Sequence, residues 1–83
     1  MQGSFVEVVH RMAEVRVRSE IAGSVWKLEV AVGDSVAEDD PLVILESMKM
    51  EIPVLAPAAG IVQEILVAEG EAVAEGEIVV VLG

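Results

Sequence analysis

The residue with the clearest chemical potential in this 83-residue chain is Lys49, one of only two lysines. It lies between Met48 and Met50, at the centre of the segment 46–51, which reads Glu-Ser-Met-Lys-Met-Glu. A turn is expected here, and large apolar side chains exposed on a turn usually serve a contact. A protonated lysine amine is not nucleophilic, and no residue near Lys49 in the sequence is of a type suited to activate it. We therefore predict that the segment presents Lys49 to an external enzyme that modifies it.

The chain before this lysine shows the period-two alternation that is typical of β-strands. Residues 15–18 alternate Val and Arg, and a second alternation has Trp26, Leu28, Val30 and Val32 as its apolar members. We interpret both stretches as strands. The tryptophan is expected in the core or as a half-exposed cap on a sheet face.

Further apolar stretches continue the strand pattern through the rest of the chain. The run 42–45 is uninterrupted and short enough for a strand buried on both faces. Additional strands are predicted at 51–55, 61–68 and 78–82, separated by glycine-rich and acidic turns. Pro53 has no amide hydrogen to donate, so its strand should lie at an edge or contain a bulge.

The chain contains an internal repeat with a period of 37 residues. Shifting residues 22–46 by 37 positions places Gly23 on Gly60 and Gly33 on Gly70, and 11 of the 25 aligned positions are identical. The matched positions include glycines and turn residues as well as valines, so backbone geometry is repeated and not only hydrophobicity.

The repeat predicts an all-β fold. Two units of about four short strands cannot each bury an apolar face alone, but packed about a pseudo-two-fold axis they form a flattened β-barrel or sandwich. The segment 46–51, which joins the halves, then becomes a protruding hairpin turn with Lys49 at its tip.

Composition limits the classes of function. A net charge of −10 argues against nucleic-acid binding, because phosphates would be repelled. No apolar run is long enough to span a membrane, and Glu7, His10 and Arg11 interrupt the first one too early for a secretory signal. The absence of cysteine fits a reducing compartment, so we expect a cytoplasmic protein. Neither a metal site nor a catalytic constellation of Ser, His and Asp is predicted.

Residues 1–14 do not share the strand pattern of the rest. We interpret them as a leader or expression remnant that is poorly ordered, and residues 15–83 as one domain, near the lower size limit for a self-sufficient core.

The segment 46–51 resembles the Met-Lys-Met signature of biotinyl domains, the carrier modules of biotin-dependent carboxylases. The flanks agree: 33–36 resembles the Gly-Asp-x-Val turn of that family, and 56–60 resembles its post-motif stretch. The resemblance covers 15–83. Ser47 stands where many members have alanine. The insertion that some members carry in the first half, called the thumb, is missing, because the two halves align without a gap.

The resemblance implies the biotinyl/lipoyl β-barrel sandwich and a covalent cofactor, biotin, held on Lys49 through an amide bond. It implies a biotin protein ligase as the modifying enzyme, using biotinyl-adenylate. It also implies that the arm carries a carboxyl group between biotin carboxylase and carboxyltransferase sites, for example in fatty acid biosynthesis. The domain would do no bond chemistry itself, and we expect a monomer when it is isolated.

The residues around the lysine are the expected recognition surface for the ligase. Methionine side chains are flexible and polarizable and suit such a contact, and the glutamates could supply charge recognition. The predicted recognition residues are Glu46, Ser47, Met48, Met50 and Glu51.

Two other functions remain open at this stage. A lipoyl carrier domain of a 2-oxoacid dehydrogenase complex shares the fold, the repeat and the tip lysine, although its lysine usually has Asp or Thr before it and Ala or Ser after it. Two methionine flanks favour biotin. The other alternative is an unmodified adaptor module, for example of a transporter, which would not need Lys49.

Overall fold

A computed structural model describes residues 14–83, and these form eight short β-strands joined by tight turns. The strands are β1 (Val15–Arg18), β2 (Gly23–Leu28), β3 (Ser35–Val36), β4 (Pro41–Ser47), β5 (Met50–Leu55), β6 (Gly60–Ile65), β7 (Ala72–Val73) and β8 (Ile78–Leu82). The predicted leader lies, except for its last residue, outside the described residues, so its interpretation stays a prediction.

The strands form two four-stranded antiparallel sheets. One has the order β1-β8-β6-β3 and is called the β8 sheet below; the other has the order β5-β4-β2-β7 and is called the β4 sheet. Each sheet contains strands from both repeats, so the halves are interleaved and neither repeat forms a sheet by itself. The predicted all-β sandwich is confirmed, and β5, which contains Pro53, lies at the edge of its sheet as expected.

The 37-residue repeat is also present in the backbone hydrogen bonds. Strands β6, β7 and β8 each begin 37 positions after β2, β3 and β4. The amide of Gly70 donates to the carbonyl of Val25 at 2.7 Å, and the equivalent amide of Gly33 donates to the carbonyl of Val62 at 2.8 Å. Each half therefore supplies bonds to the other in the same way, which is the pseudo-two-fold relation predicted from the sequence.

Four turns of one design connect the short strands. In each, the first residue is alanine and the third has a positive φ, between 72° and 97°. The fourth is an acid whose amide donates to the alanine carbonyl at 3.1 Å, while its carboxylate accepts from the alanine amide at 2.8–3.0 Å. The turns are Ala31–Asp34, Ala37–Asp40, Ala68–Glu71 and Ala74–Glu77. Four of the acidic residues that give the chain its negative charge therefore stabilise these turns.

An aliphatic core fills the space between the two sheets. On β4, Leu42, Val43 and Leu45 have no exposed surface, and Ile44 between them is half-buried. Burial of such side chains is the main favourable term in folding, at roughly 1.5–3 kcal/mol each. The buried cluster consists of Val17, Val25, Val36, Leu42, Val43, Leu45, Ala56, Val62, Val67, Val73, Val79, Val80 and Leu82.

The second strand departs from the simple alternation that the sequence shows, and Trp26 is half-exposed on a sheet face, which is one of the two positions predicted for it. β2 ends at Leu28, and its fully buried member is Val25, whereas Trp26 is 52% exposed and Val32 lies in a turn. The cause is a bulge: Val25 pairs with Leu45 and Lys27 pairs with Ile44, the preceding residue of β4, so Trp26 is an extra residue without a partner in the ladder. A bulge interrupts the alternation of sides, which a period-two reading of the sequence cannot anticipate.

The repeated turns supply a matched pair of variants. Gly76 has φ 85°, and Asp39 occupies the equivalent turn position with φ 72°. Because a left-handed backbone costs a residue with a Cβ about 1–2 kcal/mol, we expect Gly76→Ala to lower the free energy of unfolding by about that amount. Asp39→Gly should leave it unchanged or raise it by up to about 1 kcal/mol. Urea unfolding measures both, and similar losses in the two variants would contradict this account.

Candidate functional site

The site is the turn that joins β4 to β5. From Val43 onward these strands pair residue by residue up to Ser47 opposite Met50, which leaves Met48 and Lys49 as a two-residue loop. Both loop residues have a left-handed backbone, with φ 53° and 66°. Positive φ at both central residues is the signature of a type I′ turn, whose twist matches that of the paired strands. Lys49 therefore lies at the outermost point of a regular hairpin.

The loop residues are not those that this turn prefers. Type I′ turns favour Asn-Gly or Asp-Gly, because glycine and asparagine adopt the left-handed region at low cost. Met48 and Lys49 each have a Cβ, so the left-handed backbone of the loop costs both of them conformational energy. The strain is tolerated because the β4–β5 pairing on both sides over-determines the turn, and strain of this kind is concentrated at functional sites.

The side chains of the loop project into solvent. Met48 is 91% exposed and Met50 is 60% exposed, so the prediction that these methionines do not belong to the core is confirmed. Lys49 is exposed as well, and among residues 14–83 no carboxylate lies within ion-pairing distance of its amine. The second lysine, Lys27, differs because its Nζ lies 3.5 Å from Glu29 Oε1.

Two glutamates face each other at the base of the loop. Glu46 on β4 pairs directly with Glu51 on β5, and both side chains are exposed. Like charges in directly opposite cross-strand positions are unfavourable. Within the part of the chain that is described, neither takes part in an ion pair. The hairpin thus places negative potential next to the lysine, which would attract a basic partner surface.

A glycine from the neighbouring strand supports the hairpin base. A Cβ added at Gly23 would lie 2.7 Å from the backbone oxygen of Glu46 and 3.5 Å from the Cβ of Ser47. Any larger residue at position 23 would push β2 away from β4. Ser47 is half-buried at this contact, which is consistent with the small residue found there.

All six residues singled out from the sequence lie on this one hairpin, and Gly23 was missed as part of its support. The sequence signal for Gly23 was its repeat partner Gly60, where an added Cβ would also approach backbone, 3.3 Å from Gly83 O. In the described residues no three His, Asp or Glu side chains are grouped as metal ligands. No helix among them has the length and apolar character to cross a membrane.

The geometry agrees with comparisons to known proteins. The profile of the family described as "Biotin-requiring enzyme" matches residues 1–82. The chain belongs to this family. Membership confirms the resemblance seen in the sequence and the predicted cofactor, biotin. The residues present fit that group, since Lys49 offers an exposed primary amine at the end of a regular hairpin.

Individual relatives are similar over part of their length. A biotinylated protein TB7.3 homolog of Mycolicibacterium smegmatis is 62% identical over 40 residues, which are 48% of this chain and 56% of that protein. The chain thus spans about half the length of this relative.

Solved structures share the fold. In the urea carboxylase of Kluyveromyces lactis, 84% of this chain superposes on 6% of that one, with a TM-score of 0.81 and 38% identity. A single-chain, multi-domain long-chain acyl-CoA carboxylase gives a TM-score of 0.77 and 32% identity, over 82% of this chain and 7% of that one. Both carboxylases therefore contain a domain of this architecture.

The turn geometry leads to a prediction about stability. We expect Met48→Asn to raise the free energy of unfolding by about 0.5–1 kcal/mol, because asparagine tolerates the left-handed backbone of a type I′ turn. Met50→Asn is the control, since Met50 is also an exposed methionine but lies on a strand, where asparagine should give no gain. Urea unfolding of both variants checks this, and equal effects would contradict the assignment of strain to the loop.

Proposed function

We propose that this chain is a biotin carrier domain and that Lys49 is the residue to which biotin is attached. One observation carries the proposal: in a chain of the biotin-requiring family, the lysine at the tip of the hairpin is exposed and without an ion pair among the described residues. The other lysine, Lys27, lies on β2 in an ion pair.

The attachment step needs an external enzyme. An amide bond forms between Lys49 Nζ and the carboxyl carbon of activated biotin, the activating group leaves, and the ammonium form of the lysine must first lose a proton. No base is positioned for that task within the described part of the chain, because the nearest candidates by register, Glu46 and Glu51, form no contact with the amine. A biotin protein ligase is the partner of this step.

The hairpin gives that ligase a defined surface. Met48 and Met50 offer flexible apolar contact on either side of the lysine, and Glu46 and Glu51 offer negative charge at the base. Ser47 lies where β4 comes close to β2, and a Cβ on Gly23 would be 3.5 Å from the Cβ of this serine. These five residues are the proposed recognition set.

After attachment, the domain acts as a non-catalytic carrier. When bound, biotin supplies a ureido nitrogen that can accept and release a carboxyl group. The chain's own contribution is mechanical: the β4–β5 pairing holds the Lys49 backbone in place, while the exposed side chain remains free to move. Tethering raises the effective concentration of the arm at any active site within its reach.

The two similar structures are carboxylases, and this supports carboxylase components as partners of the modified domain. We propose that the arm of Lys49 serves a biotin carboxylase site and a carboxyltransferase site of a biotin-dependent carboxylase, on other domains or subunits. Acyl-CoA and urea carboxylases are the classes that the similar structures represent.

Intact mass identifies the attachment site. Incubation with biotin, ATP and a biotin ligase should add one biotin to the wild type and to Lys27→Arg, but none to Lys49→Arg. Because the chain has only these two lysines, the pair of variants resolves the site completely. Labelling of the Lys49→Arg variant would show that biotin is attached at another position. Labelling by a lipoate ligase with lipoate, and not by the biotin ligase, would replace this function with the lipoyl carrier.

The salt dependence of modification tests the acidic pair. We expect Glu46→Gln with Glu51→Gln to raise the KM of the ligase for this domain severalfold at low ionic strength, because charge complementarity mainly steers association. The difference should shrink as salt is added, since exposed charges are screened. The control is Glu38→Gln with Glu75→Gln, which removes the same number of charges from two exposed turns outside the hairpin. An equal effect of that control would show that only net charge matters.

A further inference from the structure

The outer face of the β4 sheet carries a tryptophan that the fold does not require. Trp26 is the only tryptophan of the chain and is 52% exposed at the β2 bulge. The same bulge occurs in β6, where Gln63 is the extra residue. Because both bulges have the same register, the comparison shows that an exposed amide satisfies this backbone position. The large aromatic side chain therefore has another role.

Two apolar neighbours extend this surface. Lys27, next to Trp26, pairs with Ile44 on β4, and Ile44 pairs with Pro53 on β5. Ile44 is half-buried and Pro53 is exposed, while the residues on either side of Ile44 point into the core. We call Trp26, Ile44 and Pro53 the tryptophan shelf. It spans three adjacent strands, each about 4.8 Å from the next.

The β8 sheet does not have this shelf. The register places Val81 at the position of Ile44, and Arg16 at the position of Pro53. With Gln63 in place of Trp26, the equivalent face is therefore polar and charged at two of its three positions. The shelf is a property of the sheet that carries Lys49, and not of the fold.

The shelf lies directly behind the modified tip. The row formed by Glu46 and Glu51 is two residues from the row formed by Ile44 and Pro53, a spacing of about 7 Å along the strands. The surface thus runs without interruption from Lys49, across the acidic pair, to the shelf.

We propose that the tryptophan shelf is the docking surface for the ligase that modifies Lys49; this inference rests on the function proposed above. The ligase must bring its reactive centre within one lysine side chain of the hairpin backbone. A carboxylase or carboxyltransferase meets the longer, modified arm and can act from farther away. The partner that approaches the outer face most closely is therefore the ligase.

Charge and residue type define the matching partner surface. Tryptophan is enriched among the residues that dominate binding energy at protein interfaces. The shelf is bordered by Glu46 and Glu51, which form no ion pair with any of residues 14–83, whereas the charge of Lys27 is offset by Glu29 at 3.5 Å. The complementary surface on the ligase is an apolar pocket with basic groups along the side that faces the tip.

Steady-state biotinylation of Lys49 tests this docking surface. Trp26→Gln copies the residue that the fold already accepts at the equivalent bulge, so the variant should keep its urea midpoint. We expect it to raise the KM of the ligase for this domain about tenfold or more, with kcat little changed. Trp26→Phe should restore most of the affinity. The control is Leu66→Gln, which removes an apolar side chain of similar exposure, 47%, just after β6.

The outcomes separate this inference from the proposed function. An unchanged KM for Trp26→Gln, or an equal rise for Leu66→Gln, would overturn the docking surface while leaving the carrier function intact. Normal biotinylation of Trp26→Gln with a loss of carboxylation by biotin carboxylase would also overturn it, and would reassign the face to that enzyme. No biotinylation of the wild type would overturn the carrier function itself.

Discussion

The fold depends on backbone hydrogen bonds exchanged between its two repeats. Neither half forms a sheet by itself. Strand β2 of the first half pairs with β7 of the second, and β4 of the first half pairs with β5 of the second. The amide of Ser19 donates to Glu77 O at 2.9 Å, and its repeat equivalent Ala56 donates to Asp40 O at 2.8 Å. Strands of two residues could not persist alone. Because the halves are interleaved, the eight short strands form one cooperative unit. The hairpin that carries Lys49 is held rigid as part of that unit.

The acidic residues of this chain divide into two groups with different roles. Asp34, Asp40, Glu71 and Glu77 fold back on their own turns and accept backbone hydrogen bonds. Glu46 and Glu51 face each other across the hairpin without such partners in the described chain, although that arrangement is unfavourable. The first group stabilises the scaffold, whereas the second costs stability next to the lysine that is the proposed attachment site. Net charge alone does not distinguish them.

The internal repeat provides a comparison within one molecule. Where both halves carry the same residue type, as at Gly23 and Gly60, the fold requires it. Where they differ on an exposed face, as at Trp26 and Gln63, the fold is indifferent and another demand has selected the residue. By this comparison the β8 sheet is mainly scaffold, while the β4 sheet carries the hairpin and the tryptophan shelf.

The sequence by itself determined the all-β class, the repeat, the edge position of Pro53 and the central place of Lys49. These follow from local chemistry: alternation, glycine and proline geometry, and a short motif. Only the tertiary structure decided how the strands are shared between the sheets, because pairing partners lie far apart in the chain. It also decided that Met48 and Lys49 form a left-handed loop, since neither residue favours that backbone and only the paired strands impose it. The exposure of Trp26 was decided in the same way, by a bulge whose position depends on the register with β4.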